Sequence, residues 1–228
     1  MKILLILCIL VSLYDTYAKS NVFIVFGHQE RQSFCAAMKD LAVKVLTEEG
    51  HQVKVTNLYE LKMFNRIDRT DFTELVDPTY FRPQVEQESS NKKERATFVK
   101  EIRDEMEKSM WADVIIFIYP YYLSYMPGIT QAWLEHVFSY GFAFGTNGDR
   151  LKGKKGMLMY TTGGPKVGIQ QLEAMMTFII HDRIKFWKME PLPSFAAYSP
   201  GSVSDEVRKQ YLKDLETKLR ALDTITPL

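Results

Sequence analysis

The chain has 228 residues, with 29 Lys and Arg against 28 Asp and Glu, for a formal net charge of +1 at neutral pH. A surface so evenly mixed in charge excludes nucleic acid as the main partner. The length suits one domain with a substantial core.

Residues 1–18 read as a secretory signal peptide. Lys2 gives a basic start, Ile3 to Leu13 an apolar run, and Thr16-Tyr17-Ala18 a cleavage site ending in a small residue. The run is too short for a permanent transmembrane helix. A leader left uncleaved as an anchor is the rival reading, and no other stretch is apolar enough to span a bilayer. Residues 19–228 are therefore expected to be a single exported domain with no stable membrane span. Of the two cysteines, Cys8 lies in the leader and Cys35 stands alone beyond it, so no intrachain disulfide is expected. Residues 19–228 also carry no Asn-x-Ser/Thr acceptor.

Val22 to Phe26 is an apolar, β-branched and aromatic run closed by Gly27, the pattern of a strand buried on both faces. After a polar loop, Ser33 opens a helix with Phe34, Met38, Leu41 and Val45 on one face, and Gly50 closes it. Val53, Val55 and Leu58 mark a short second strand ending in Asn57-Leu58-Tyr59. Residues 62–91 read as polar and irregular, with Asp77-Pro78 and Arg82-Pro83 as breakers. From about Lys92 the spacing of Phe98, Ile102, Met106 and Met110 predicts a helix. Val114 to Tyr119 is the strongest strand pattern, ended by Pro120. Pro127 suits the first turn of a helix carrying Ile129, Ala132, Trp133 and Val137. Met157 to Tyr160 predicts a fourth strand running into Thr161-Thr162-Gly163-Gly164. A helix near Gln170 to Ile180, a strand at Phe195 to Tyr198 and a last helix opening at Ser202-x-x-Asp205 follow. That helix carries Val207, Tyr211, Leu215, Leu219 and Leu222. Strands alternating with helices imply an α/β fold, with a parallel sheet covered on both faces.

Ligands of such sheets sit beyond the carboxyl ends of the strands. Three loops lie there. Gly27–Ser33 ends at a helix N-terminus, whose amides suit an anion. Pro120–Met126 is aromatic and almost free of charge. Thr161–Gly164 offers two hydroxyls and two glycines that allow close backbone approach. A phosphate clamp, an aromatic wall and a close-approach loop together describe a flavin site, in which the cofactor carries the redox chemistry. His28, His51, His136 and His181 are scattered without metal-ligand spacing, so no metal is expected.

In Gly27-His28-x-Glu30-x-x-Ser33-Phe34, Asn57-Leu58-Tyr59, Tyr119-Pro120 with Pro127, and Trp133-x-x-x-Val137-Phe138, the chain resembles the flavodoxin-like NAD(P)H quinone dehydrogenase family. That family includes ribosyldihydronicotinamide-using enzymes and bacterial ancillary quinone reductases of potassium efflux. Gly141-Phe142-Ala143-Phe144, Gly153-Lys154-Lys155 and Thr161-Thr162-Gly163-Gly164 complete the likeness, which runs over residues 21–226. The resemblance implies a flavodoxin-like open parallel five-stranded sheet in the order 2-1-3-4-5. It implies a homodimer with FAD, or FMN, at the subunit interface, reduced by NADH, NADPH or a ribosylnicotinamide and reoxidised by a quinone-like acceptor. His28, Ser33, Phe34 and Cys35 would lie along the pyrophosphate. Pro120, Tyr121, Tyr122 and Leu123 would contact the isoalloxazine and ribityl chain. Thr161, Thr162, Gly163 and Gly164 would line the other edge through hydroxyl and backbone donors, with Arg208 near the adenine half. Tyr125 and Phe144 would belong to the substrate pocket, Phe144 from the partner subunit.

The chain departs from the family at several positions. Leu123-Ser124 replaces a Trp-Phe pair, and Pro165 to Gln170 lacks the Tyr and His that steady charge on the reduced flavin in animal members. Catalytic residues are therefore left unassigned. Cys35 replaces an Asn, and Arg82 stands where Gln is usual. Two function classes follow: a flavoenzyme reducing quinones, and a secreted binding protein that keeps the fold with weak or lost turnover.

Overall fold

The computed structural model describes residues 19–61, 66–123, 125–166, 174, 178 and 181–228. Strand β1 is Asn21–Phe26, and helix α1 is Phe34–Glu48. Strand β2, Gln52–Asn57, comes next, then a 3₁₀ turn at Arg69–Asp71. Helices α2, Pro83–Lys92, and α3, Lys100–Trp111, precede β3, Val114–Pro120. Helix α4 is Gly128–Val137 and β4 is Lys155–Thr162. The short strands β5, Glu190–Pro191, and β6, Phe195–Tyr198, lead to α5, Asp205–Arg220. All pairings are parallel in the order β2-β1-β3-β4-β5, with β6 also on β4. Strands β5 and β6 share the outer edge of β4, so together they fill the fifth position of the expected 2-1-3-4-5 sheet.

Alternation along the strands divides the core into two. Phe23 and Val25 of β1 and Ile115, Phe117 and Tyr119 of β3 pack with Met106, Trp133 and Phe138, on the side of α3 and α4. Val22, Ile24 and Phe26, with Ile116 and Ile118, pack with Met38, Val45, Leu215 and Leu219 of α1 and α5. Each such side chain contributes about 1.5–3 kcal/mol by leaving water. That burial on both faces is why β1 and β3 read as unbroken apolar runs. No helix of the described residues is long and apolar enough to cross a membrane.

The stretch 62–91 is less irregular than its sequence suggests, since α2 lies within it. The buried residues of α2 are Glu86, Gln87 and Ser90, which leave no apolar period to detect. The Glu86 carboxylate accepts the Val76 and Asp77 amides at 2.8 and 3.4 Å, and Gln87 Nε2 donates to the Glu135 carbonyl at 3.3 Å. The helix expected from Lys92 starts only at Lys100, because Glu94 and Arg95 sit at φ 56° and 68° and interrupt the chain. Pro120 ends its strand as its last residue, paired with Thr161. The last helix is capped by Ser204 rather than Ser202, whose amide instead closes a turn on the Ser199 carbonyl. Most of the helix expected at 170–180 lies outside the described residues.

Asp71 and His136 are both buried, with Nε2 and Oδ1 3.4 Å apart, and tie the 3₁₀ turn to α4. Burial alone would lower the pKa of His136, but Asp71 and the Ala132 carbonyl outweigh it and raise the value above 6.5. A raised folded value means that the pair's contribution is complete below the unfolded pKa and is lost as pH rises through the folded one. Asp71→Asn is expected to cost more stability at pH 5.5 than at pH 9, measured by urea unfolding at both. Gly27, where β1 ends, has its own packing role: a Cβ there would stand well inside contact of Thr130 Oγ1. Gly27→Ala is expected to cost about 1–3 kcal/mol, the usual range for overpacking, and adding Thr130→Ala should recover most of it.

Candidate functional site at the carboxyl edge of the sheet

Loop Gly27–Ser33 is held by its own hydrogen bonds. The Gly27 amide donates to the Ile118 carbonyl at 2.9 Å, which keeps the loop on the β3 side of β1. His28 Nδ1 accepts the Glu30 amide at 2.9 Å, and the Glu30 carboxylate accepts the Gln32 amide at 2.8 Å. Burial lowers the His28 pKa despite nearby Glu30, so at neutral pH its ring is uncharged. With Nδ1 accepting, the proton lies on Nε2, which is a donor. Ser33 caps α1, its Oγ accepting the Ala36 amide at 3.1 Å and its carbonyl the Ala37 amide at 3.0 Å. The first amides of a helix have no intrahelical acceptor. Those of Phe34 and Cys35 find none among the described residues, and they remain available to an anion.

These groups border a cavity of about 390 Å³. His28, Ser33, Phe34, Cys35, Thr161 and Arg208, six of the residues expected in the cofactor site, all line it. Gln32, Ala37, Pro200 and Gly201 complete the wall and had not been foreseen. The Pro200-Gly201 pair just before the last helix was the sequence signal for the last two.

Cys35 is packed rather than exposed as a thiolate, with Sγ 3.2 Å from Thr161 Oγ1. Burial pushes its pKa up to about 11, with hydrogen bonds from Thr161 opposing only part of the rise. The helix dipole is too weak to offset that desolvation.

Two expected roles change with the geometry. The hydroxyls of Thr161 and Thr162 are already engaged, Thr161 with Cys35 and Thr162 with the Gly164 carbonyl at 2.7 Å. Ser199 Oγ holds the Gly163 carbonyl at 3.1 Å, so the donors left in this turn are the Gly163 and Gly164 amides. Arg208 lines the cavity, but its Nη1 donates to the Pro200 and Val203 carbonyls at 2.9 and 2.6 Å. Its remaining nitrogens bind Asp205. Arg208 therefore shapes the wall more than it supplies free charge.

The second loop joins the third directly, the Tyr121 amide donating to the Thr161 carbonyl at 2.8 Å. Its Tyr121 ring lies 5.4 Å from that of Tyr160, tilted by 30°. Tyr122 and Tyr125 exchange backbone hydrogen bonds of 2.9 and 2.8 Å, forming a tight hairpin with wholly exposed Leu123 at its tip, φ 47°. Pro120, Tyr121, Tyr122 and Leu123 lie on the same sheet edge and are not on the lining of this cavity. The Ser124 side of this departure lies outside the described residues.

Phe144 and Tyr125 lie elsewhere. Phe144 packs against Phe186 at 5.2 Å and lines a separate cavity of about 830 Å³ that shares no residue with the first. Tyr125 has Arg183 over its ring at 5.4 Å, and Arg183 lines that second cavity too.

A family model for the flavodoxin-like fold matches residues 20–219. A ribosyldihydronicotinamide dehydrogenase-like protein of Penicillium crustosum is 32% identical over 91% of this chain and 83% of its own length. The chain belongs to the flavodoxin-like NAD(P)H quinone dehydrogenase family. The ribosyldihydronicotinamide dehydrogenase [quinone] of Rattus norvegicus is 31% identical over 90% of this chain and 93% of its own. A solved structure from Klebsiella pneumoniae, assigned to the quinone reductases, superposes with a TM-score of 0.83 at 26% identity, covering 92% of this chain and 87% of that one.

Cys35 gives a direct check on the packing around the start of α1. At pH 8 its alkylation by iodoacetamide, followed by peptide mapping to separate it from Cys8, is expected to run at least tenfold slower than in the urea-unfolded chain. A comparable rate would contradict the burial and the raised pKa.

Proposed function

We propose that this protein binds a flavin along the carboxyl edge of its sheet and passes two electrons from a reduced nicotinamide to a quinone-like acceptor. The observation that carries the reading is the pair of unclaimed amides at Phe34 and Cys35, opening on a cavity shared with Thr161. An anion held there meets the helix dipole and two aligned N–H donors, with the neutral His28 Nε2–H as a third. The cavity continues past Ser33 to Pro200, Gly201 and Arg208, leaving room beyond a single phosphate. This favours FAD, with FMN as the alternative. The relatives' names point to quinones as acceptors and to NADH, NADPH or a ribosylnicotinamide as donor.

When bound, the flavin supplies two-electron chemistry by accepting and returning a hydride. The chain's task is to orient it and keep water away. The Gly163 and Gly164 amides offer donors to one ring edge. Tyr121, fixed through the Thr161 carbonyl, brings its aromatic surface beside the site. A homodimer is part of the reading, because Phe144 lies outside its own chain's candidate cofactor cavity and would then serve a partner's. The alternative reading, a binding protein with weak turnover, is favoured by the Leu123 tip, which leaves no aromatic surface where the family has one. Export through the residue 1–18 leader is likewise proposed, and N-terminal sequencing of the secreted chain should begin at Lys19.

The flavin test starts with the visible spectrum of the purified protein. A yellow chain bleached anaerobically by a nicotinamide donor and recoloured by a quinone is the expected result. A chain that takes up neither FAD nor FMN would sink the reading; a yellow chain that no donor bleaches would leave only the binding role. Ser33→Ala is expected to weaken flavin affinity about tenfold and to cost about 1 kcal/mol of stability through the lost cap.

A further inference from the structure

The second cavity, at about 830 Å³, falls in the size range of small-molecule sites. It lies on the α3–α4 face of the sheet, and of its six aromatic residues Phe138, Phe144, Phe186 and Trp187 form two contacting pairs that give it flat apolar walls. Phe138 and Trp187 meet edge to face at 4.8 Å, and Phe144 and Phe186 stack at 5.2 Å with a 40° tilt. Exposed Phe186 extends this wall to the surface.

The charge on this lining is unusual for an apolar cavity. Arg82, the residue before α2, and Arg183 both border it; Arg82 is near enough to Asp77 to help lower that carboxyl's pKa, whereas Arg183 forms no ion pair among the described residues. Arg183 is half-buried. One of its nitrogens donates to Gln131 Oε1 at 2.9 Å, and the guanidinium lies over the Tyr125 ring. A guanidinium carries five N–H donors, so most of those on Arg183 are uncommitted. Glu135, the anion on the lining, is exposed and accepts Gln131 Nε2 at 2.7 Å, so Gln131 stands between it and Arg183. A half-buried cation without a counterion is costly to hold, and an anion arriving beside it recovers that cost.

We infer that this cavity binds a flat aromatic compound bearing an acidic group, with the ring between the aromatic walls and the acidic group on Arg183 and Arg82. The inference deepens the proposed function by naming the chemical class of the acceptor. Arg183 connects Tyr125 and Phe144, the two residues expected in the acceptor pocket, and the two arginines distinguish an anionic aromatic from a neutral quinone.

The test uses two ring-matched, redox-inert probes, naphthalene-2-sulfonate and 2-naphthalenemethanol, titrated calorimetrically into the full flavin-loaded chain. The sulfonate is expected to bind at least tenfold more tightly than the alcohol. Arg183→Met should abolish that preference while leaving the alcohol's affinity within about twofold. Arg82→Met, at an exposed position that leaves the core untouched, should reduce the preference several-fold. Equal affinities in the wild type, a preference that survives both substitutions, or no binding of either probe because a second copy fills the cavity would each overturn the inference. A chain that takes up no flavin but still prefers the sulfonate would sink the flavin reading and leave the anion site standing.

Discussion

Thr161 is where the candidate site is joined together. Its hydroxyl meets Cys35 at the start of α1, its carbonyl takes the Tyr121 amide, and its backbone pairs with Pro120 on one side and Ala197 on the other. The Gly27–Ser33 loop with the start of α1, the aromatic loop and the Gly-Gly turn therefore share one fixed residue instead of being placed independently. That residue is held by pairing to both neighbouring strands, which is the most rigid position an open sheet offers. The arrangement also accounts for the burial and raised pKa of Cys35. A side chain that bridges α1 to β4 has to be buried, and a buried thiol stays protonated.

The parts of the fold that the sequence made legible are those in which one chemical property repeats. β1 and β3 are continuous apolar runs because both faces are covered, and α1 shows its apolar face at helical spacing. Helix α2 was hidden for the opposite reason. Glu86, Gln87 and Ser90 are buried through hydrogen bonds to backbone groups that only tertiary structure supplies, so no window of sequence could reveal them. Glu94 and Arg95 carry no sign that they adopt positive φ and delay the start of α3.

The site shows the same division between residue choice and bonding. Sequence reading found Ser33, Phe34, Cys35, Thr161 and Arg208, and the fold gathers them around one cavity. What it could not give was how each polar group is already used. Hydroxyls in a Thr-Thr-Gly-Gly turn look free on paper, yet both are taken up inside the protein, and Arg208 spends its donors on its own loop. Pro200 and Gly201 reach the cavity only because β6 aligns with β4, a long-range pairing that no local pattern encodes.

The two cavities differ in how their charge is handled. In the first cavity Arg208, the cation on the lining, pairs with Asp205, and on the adjoining loop and α1 Arg31 pairs with Glu60 and Lys39 with Asp40. An anion there is left to backbone amides and the dipole of α1, which are fixed in direction and cost no side-chain entropy to use. In the aromatic cavity the cations are on long side chains, Arg82 at a helix start near Asp77 and Arg183 over Tyr125 with no ion pair among the described residues. The first arrangement suits a resident group held for many turnovers, because the geometry is complete before the ligand arrives. The second suits a visitor, because guanidinium groups can close on a charge and release it again. A chain with a permanent cofactor at one edge and an exchanging aromatic acceptor at another would need both kinds of site.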